Sequence, residues 1–276
     1  MQIGVMSRTL FRKTLEEELD AVVEHGLGCM QFDLSSGGLP SLPEQIDDDA
    51  CSNIKNALAE RRITVAGVNC LFNMIHPDPE HRQAGLSRLE VLASAADKLG
   101  IATLVLCTGT RNEKMMWLPH PDNGSPEAWR DLLDTMGKAV RSAEAHQVTL
   151  AFEPEVANVV DSARKARRLI DDIGSSHLKV VIDGANIFHE GELPRMSDIL
   201  DEAFELLGSD IAFAHAKDLD HDGAAGHLPA GKGLLDYERY LSLIDRLDSN
   251  MPVVLHGLRE EDVDECVAFL RSKGAN

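Results

Sequence analysis

The segments 148-VTLAFE-153, 179-KVVID-183 and 211-IAFAH-215 are three short apolar runs, each closed by an acid or a base. Glu153 and Asp183 stand 30 residues apart, and Asp183 and His215 stand 32 apart. About thirty residues is the length of one strand-plus-helix unit, so the three residues occupy one place in successive units. In a parallel barrel that place is the carboxyl end of a strand, where neighbouring strands converge and sites are built. A glutamate, an aspartate and a histidine brought together there form a donor set suited to a divalent metal. The competing assignment is a solvated charge for Glu153 and, for His215, a core histidine satisfied by a backbone carbonyl.

Runs of the same kind recur at 3–6, 29–32, 64–68, 103–107, 149–152, 179–182, 211–214 and 253–255, eight in all. Segments of helical periodicity lie between them. Thr14-x-x-Glu17 reads as a capping box, with Leu15, Leu19, Val22 and Val23 on one face and Gly26 as the stop. Ser87-x-x-Glu90 predicts a second helix start, with Leu89, Leu92, Ala93, Ala96 and Leu99 turned inward before Gly100. Ser125-Pro126 predicts a third, with serine as N-cap and proline at the first helical position. Similar patterns fill 162–173, 197–207, 237–247 and 261–270, and a weaker one fills 50–61. Eight alternating units with near-continuous apolar strands predict an α/β fold, a (β/α)8 TIM barrel, as a single domain over residues 1–276. An open doubly wound sheet would carry GxGxxG after its first strand, and Met6-Ser7-Arg8 stands there instead.

Composition agrees with one barrel, which typically needs about 250 residues. Hydrophobic residues make up 43% of the chain and aromatics only 4%, so the core has to be aliphatic, as in a parallel sheet. Lys and Arg number 27 against 46 Asp and Glu, a net charge of −19 that disfavours nucleic acid and anionic membranes as partners. A small anionic substrate is not excluded, because a local basic pocket overrides the global field. Five scattered cysteines (Cys29, Cys51, Cys70, Cys107, Cys266) without a CxxC predict reduced, buried thiols in a cytoplasmic protein. The start, MQIGVMSRTLF, lacks the apolar core of a signal peptide, and no run approaches transmembrane length.

Two connections are longer than packing requires, 69-NCLFNMIHPDPEHR-82 and 108-TGTRNEKMMWLPHPDNGS-125. Phe72, Met74, Met115, Met116 and Trp117 make them too apolar for disorder, and they read as lids over a pocket, with Trp117 a candidate substrate contact. His256 closes the eighth run, 41 residues after His215, in the equivalent place. It is a candidate fourth ligand or a catalytic acid/base, with a structural role as the alternative. Glu155, two residues past Glu153, points to the same side if the chain stays extended, as a second catalytic carboxylate or an outer charge. His76, His120 and His189 fall in rim loops as candidate substrate contacts. Lys217 could neutralise an anionic oxygen and Asn186 could bond a hydroxyl. Gly231-Lys232-Gly233 could cradle a phosphate or hydroxyl.

Phe152-Glu153-Pro154-Glu155, Asp183 with Asn186, His215-Ala216-Lys217-Asp218 and Gly231-x-Gly233 resemble the sugar phosphate isomerase/epimerase family. The MMW…HPDN loop and Cys107-Thr108-Gly109-Thr110 add to the likeness, which extends over nearly the whole chain. The resemblance implies a xylose isomerase-like TIM barrel and one divalent cation (Mn, Mg, Co or Zn) held by Glu, Asp, His and a second Glu. Glu153, Asp183 and His215 match the first three positions, whereas the fourth is His256 followed by Gly257-Leu258. In the family's epimerases two glutamates on opposite faces of the substrate exchange a proton, and this chain departs from that symmetry. Homo-oligomers are common in families of this kind.

The expected function is therefore a metal-dependent isomerase or epimerase of a sugar or sugar phosphate. Glu153 serves as ligand through one oxygen and as base through the other. The alternatives are a lyase cleaving a C–O or C–C bond in a keto-sugar, and a non-catalytic sugar-binding barrel. Amidohydrolase barrels open with HxH on the first strand, which Met6-Ser7-Arg8 does not supply, and an abasic-site endonuclease would want a basic groove.

Overall fold

Eight parallel strands close on themselves in the computed structural model, which describes residues 1–275. They are β1 (Gln2–Met6), β2 (Cys29–Phe32), β3 (Thr64–Asn69), β4 (Thr103–Cys107), β5 (Thr149–Glu153), β6 (Leu178–Asp183), β7 (Ile211–Asp218) and β9 (Pro252–Leu255). Each pairs with the next in chain order, and β9 returns to β1 through Gln2–Pro252 to Val5–Leu255. The short β8 (Leu228–Pro229) is an antiparallel flap on the end of β7. Around the barrel run α1 (Leu15–Glu24), α2 (Asp48–Glu60), α3 (Pro79–Leu99), α4 (Pro126–His146), α5 (Ala163–Ile173), α6 (Met196–Leu207), α7 (Tyr237–Leu247) and α8 (Val263–Ser272). Among the described residues, no helix is long and apolar enough to cross a membrane. All five cysteines are buried and unpaired.

The helix ends follow local chemistry. Thr14 Oγ1 accepts the Glu17 N–H at 3.2 Å, and Leu15, Leu19 and Val22 are buried, each contributing roughly 1.5–3 kcal/mol of transfer free energy. Val23, expected on that face, is 46% exposed; Ala21 takes the inward place. Ser125 caps α4 as its sequence predicts. The helix expected to begin at Ser87 begins at Pro79 instead. Asp78 Oδ1 accepts the Glu80 N–H at 2.8 Å, and Pro79 fills the first turn, where its missing N–H costs nothing.

The early start of α3 also changes the first of the two supposed lids. Phe72 sits against Gly85 of α3, where an added Cβ would come within 2.1 Å of the ring. Phe72 and Met74 are buried core residues, and neither lines the main cavity. The two long connections are tied to each other: Asn73 Nδ2 donates to the Thr110 carbonyl at 2.8 Å and His76 Nε2 meets the Glu113 carbonyl at 3.3 Å.

Inside the barrel, Val105, Ala151, Val181, Phe213 and Val254 form an apolar cluster separate from the strand–helix core. Side chains alternate along a strand, so the residues two positions on point to the same axis, one layer nearer the carboxyl ends. From Ala151, Val181, Phe213 and Val254 those residues are Glu153, Asp183, His215 and His256. Gly67 makes room for this floor: a Cβ there would lie 2.7 Å from Val105 Cγ2 and 3.1 Å from the Phe213 ring.

Candidate metal centre

Glu153, Asp183, His215 and His256 each bring a ligand atom within 4.8 Å of all the others. Register explains part of this, since Asp183 and His215 are direct partners across β6 and β7. The Tyr240 hydroxyl, fully buried on α7, lies 3.0 Å from both the Ile182 and His215 carbonyls and ties those two strand ends together. His256 follows β9, and its N–H continues the ladder to the Ala216 carbonyl at 3.2 Å.

His215 Nδ1 is 3.3 Å from Glu153 Oε1 and 3.7 Å from Asp183 Oδ2. Lys217 Nζ, almost fully buried, is 3.3 Å from the same Asp183 oxygen. Burial alone would raise the Asp183 and Glu153 carboxyls, but Lys217 and His215 outweigh it and hold both below the ordinary carboxylate range. Burial likewise opposes charge on His215, yet Glu153 and Asp183 raise it to about 9. His256 goes the other way, lowered to about 3 by burial and then by Lys217 and His215. Glu155 is raised to about 7, by burial first and by Glu153 second.

The donors fit a divalent cation. Among the described residues, four buried side-chain polar atoms lack a hydrogen-bond partner, and two of them, Asp183 Oδ2 and His256 Nδ1, are in this cluster. Buried polar atoms are normally satisfied; His256 Nδ1 has no partner and Asp183 Oδ2 has only ion pairs with Lys217 and His215, so both atoms suit coordination to a cation. Glu153, His215 and His256 line a cavity of about 1000 Å³ whose wall includes Met6, Arg8, Leu71, Trp117, His227 and Leu258, and Asp183 lies buried beneath them.

Trp117, expected to contact substrate, lines this cavity, as does Glu155, expected as a second catalytic carboxylate or an outer charge. Asn186 does not face it. It is fully buried, donating to Glu153 Oε1 at 2.6 Å and accepting the Gly226 N–H at 3.0 Å, so it orients the glutamate from behind. Lys217 is likewise behind the carboxylates, spent on Asp183. His76 stacks on His81 with ring centroids 4.2 Å apart, His120 accepts the Asp122 N–H, and His189 is 3.8 Å from Asp161; none of the three lines the cavity. The Gly231-Lys232-Gly233 turn is braced from within by Asp218, and Lys232 lines the cavity. The Gly231, Leu235 and Leu219 N–H groups all donate to the buried Asp218 carboxylate, and the Lys232 N–H donates to the Pro229 carbonyl at 3.1 Å.

Gln31 and Asn69 were missed although both line the cavity floor. Each is a polar residue near the end of an apolar strand, in CMQF and TVAGVN, the same signal that exposes Glu153 and Asp183. Neutral amides attract no attention when charge is the search criterion.

A family model described as xylose isomerase-like TIM barrel matches residues 19–273. The chain belongs to that family. Solved structures of the same barrel cover nearly all of it. One is a 3-keto-D-glucoside 4-epimerase from E. coli, with 18% identity, a TM-score of 0.73 and coverage of 99% of each chain. Another is the IolI protein with a bound zinc atom, at 17% identity and a TM-score of 0.74, covering 99% of this chain and 96% of that one. A third, described as a probable 3-DHS dehydratase from Bacillus anthracis, has 13% identity and a TM-score of 0.76, covering 98% of this chain and 99% of that one. At such identities the likeness within the family is one of fold. No curated protein matches the chain in sequence.

Proposed function

We propose that this barrel is a divalent-metal-dependent isomerase or epimerase of a sugar or sugar derivative, acting by proton abstraction beside a carbonyl. The observation that carries it is the four-donor cluster beside the cavity, in which His256 Nδ1 has no hydrogen-bond partner and Asp183 Oδ2 is held only by ion pairs. Glu153, Asp183, His215 and His256 would hold the ion: manganese, magnesium, cobalt or zinc. A divalent cation bound there supplies Lewis-acid stabilisation of the negative charge that develops on oxygen as a sugar ketone enolises.

The chain's own groups do the rest. Glu153 Oε1 is engaged by Asn186 and His215, whereas Oε2 receives no hydrogen bond among the described residues. Oε2 is therefore the base that takes the proton from carbon. Glu155, with a pKa of about 7, can give or return a proton near neutral pH. His256 stays neutral and adds no negative charge to the centre. Trp117 and Leu71 offer apolar surface to the C–H face of a sugar.

One carboxylate base beside a neutral imidazole and a proton-bearing Glu155 also suits β-elimination, and the dehydratase among the similar barrels favours that as the second reading. Metal analysis and deuterium wash-in from D2O into candidate keto-sugars test both. The expected result is one equivalent of divalent metal, lost in Asp183→Ala, and exchange beside the carbonyl that falls at least about 100-fold in Glu153→Gln. Loss of water from the sugar selects the lyase. Full activity of Glu153→Gln removes the proposed base, and a metal-free protein that still binds sugar makes this a binding barrel.

A further inference from the structure

His215 Nε2 lies 2.8 Å from Gln31 Oε1, a contact that spans the barrel lumen from β7 to β2. Gln31 Nε2 donates to Asn69 Oδ1 at 2.7 Å, and Asn69 Nδ2 donates to Asp33 Oδ2 at 3.0 Å. All four side chains are buried. This chain of hydrogen bonds has only one consistent direction. Asp33 Oδ1 accepts from the Ser35 N–H at 3.0 Å and from the Ser35 and Ser41 hydroxyls at 2.6 Å each. Burial would raise the Asp33 carboxyl, but those bonds and the one from Asn69 hold it below its ordinary value, so it is ionised and can only accept.

The consequences run outward from that fixed end. Asn69 has to turn its NH2 toward Asp33 and its carbonyl toward Gln31. Gln31 then turns its NH2 toward Asn69 and its carbonyl toward His215. His215 Nε2 must carry the proton, because its partner is an acceptor. Nδ1 is left as the nitrogen facing Glu153 and Asp183. His256 has no such support, since neither of its ring nitrogens makes a hydrogen bond among the described residues.

We propose that Asp33, Asn69 and Gln31 are positioning residues forming a one-directional amide relay that fixes His215 with Nε2 protonated and Nδ1 presented to the metal centre. The proposal rests on the metal reading given under Proposed function and extends it to residues remote from substrate. A histidine ligand is commonly oriented by one carboxylate or carbonyl on its far nitrogen. Here two amides carry that constraint from a carboxylate at the end of β2.

The test uses Gln31→Met, which keeps side-chain length and removes the acceptor, and Gln31→Glu, which restores one. Zinc affinity is measured by chelator competition, and the histidine tautomers by long-range 1H–15N spectra of zinc-loaded and metal-free protein, the latter at alkaline pH. Gln31→Met is expected to bind zinc about 10–100-fold more weakly, the usual cost of losing such an outer partner, and to show mixed His215 tautomers. Gln31→Glu keeps the acceptor toward His215 but sets a second acceptor against Asn69 Oδ1, so it restores the single tautomer and only part of the affinity. If Gln31→Met fails to fold, Asp33→Asn reads the same point at unchanged volume, since an amide at that end lets the relay reverse and an Nδ1-protonated form appear. Wild-type affinity with a single Nε2-protonated tautomer in Gln31→Met overturns the relay. A wild-type protein that takes up no zinc overturns the metal reading instead. The metal-free spectra then decide the relay alone, and mixed His215 tautomers in wild type overturn it.

Discussion

His215 and His256 pack edge to face with ring centroids 4.8 Å apart, yet one is held as a cation and the other as a neutral ring. The difference lies in their neighbours. His215 sits between Glu153 and Asp183, while His256 meets the positive side of the same cluster, Lys217 and His215. Without metal, the two carboxylates are balanced by His215 and Lys217, so any cation entering competes with charges already in place.

Lys217→Met should expose that competition. Removing one member of a buried pair costs about 3 kcal/mol or more, so the metal-free variant melts well below wild type. A divalent ion then replaces the missing positive charge beside Asp183. The rise in melting temperature on adding zinc is expected to be larger in Lys217→Met than in wild type. An equal or smaller rise would mean that Lys217 does not compete for the site.

The two histidines should also differ as ligands. His215→Ala loses a nitrogen whose direction is fixed by Gln31, and its zinc affinity is expected to fall by more than roughly 100-fold, beyond the loss of an outer partner alone. His256→Ala, which removes a ring without a hydrogen bond among the described residues, should fall roughly tenfold. His256→Glu adds a carboxylate opposite Glu153; affinity rises, and deuterium exchange on both faces of the substrate carbon becomes measurable. Equal losses in the two alanine variants would remove the distinction.

Most of the barrel was legible because strand patterning is local. Val181 and Asp183, or Phe213 and His215, advertise an inward face by alternation alone, and the spacing of units places those faces around one mouth. What stayed hidden depends on partners far away in sequence. The α3 start is an exception, since Asp78-Pro79 carries the same local cap-and-proline signature as Ser125-Pro126 and is masked by the competing Ser87-x-x-Glu90 pattern. The Gly231 N–H, which the sequence offers to an anion, is taken by the Asp218 carboxylate 13 residues earlier. Asn186 and Lys217 have the right chemistry for substrate but face the backs of Glu153 and Asp183, a matter of depth that residue type does not reveal.

The barrel floor gives a prediction of stability alone. Gly67→Ala places a methyl group 2.7 Å from Val105 Cγ2, in an interior with no slack, and should cost about 1–3 kcal/mol by overpacking. Val105→Ala in the same chain removes the clashing methyl, so the double variant should recover part of that loss in denaturant melts. Additive losses would show that the strain is taken up by the Phe213 ring or the backbone.

Glu18 supplies a pH-dependent case outside the metal centre. It is 1% exposed on α1, and its Oε1 has no hydrogen-bond partner. Burial raises its pKa; the Ser36 hydroxyl, the Arg12 N–H and the Arg12 charge oppose that, and the Asp33 charge adds to it. Below the ordinary carboxylate pKa, about 4.3, the side chain is protonated in both folded and unfolded chains, and its folded-state contribution is fully present. As pH climbs through that value the unfolded chain ionises first, and stability is lost until the raised folded-state pKa is passed. Glu18→Gln, neutral throughout, should therefore match wild type near pH 4 and exceed it at pH 8 by about 1 kcal/mol, the scale of one unsatisfied buried group. Thermal melts at the two pH values check this. A variant less stable than wild type at pH 8 would mean that Ser36 and Arg12 fully compensate the buried charge.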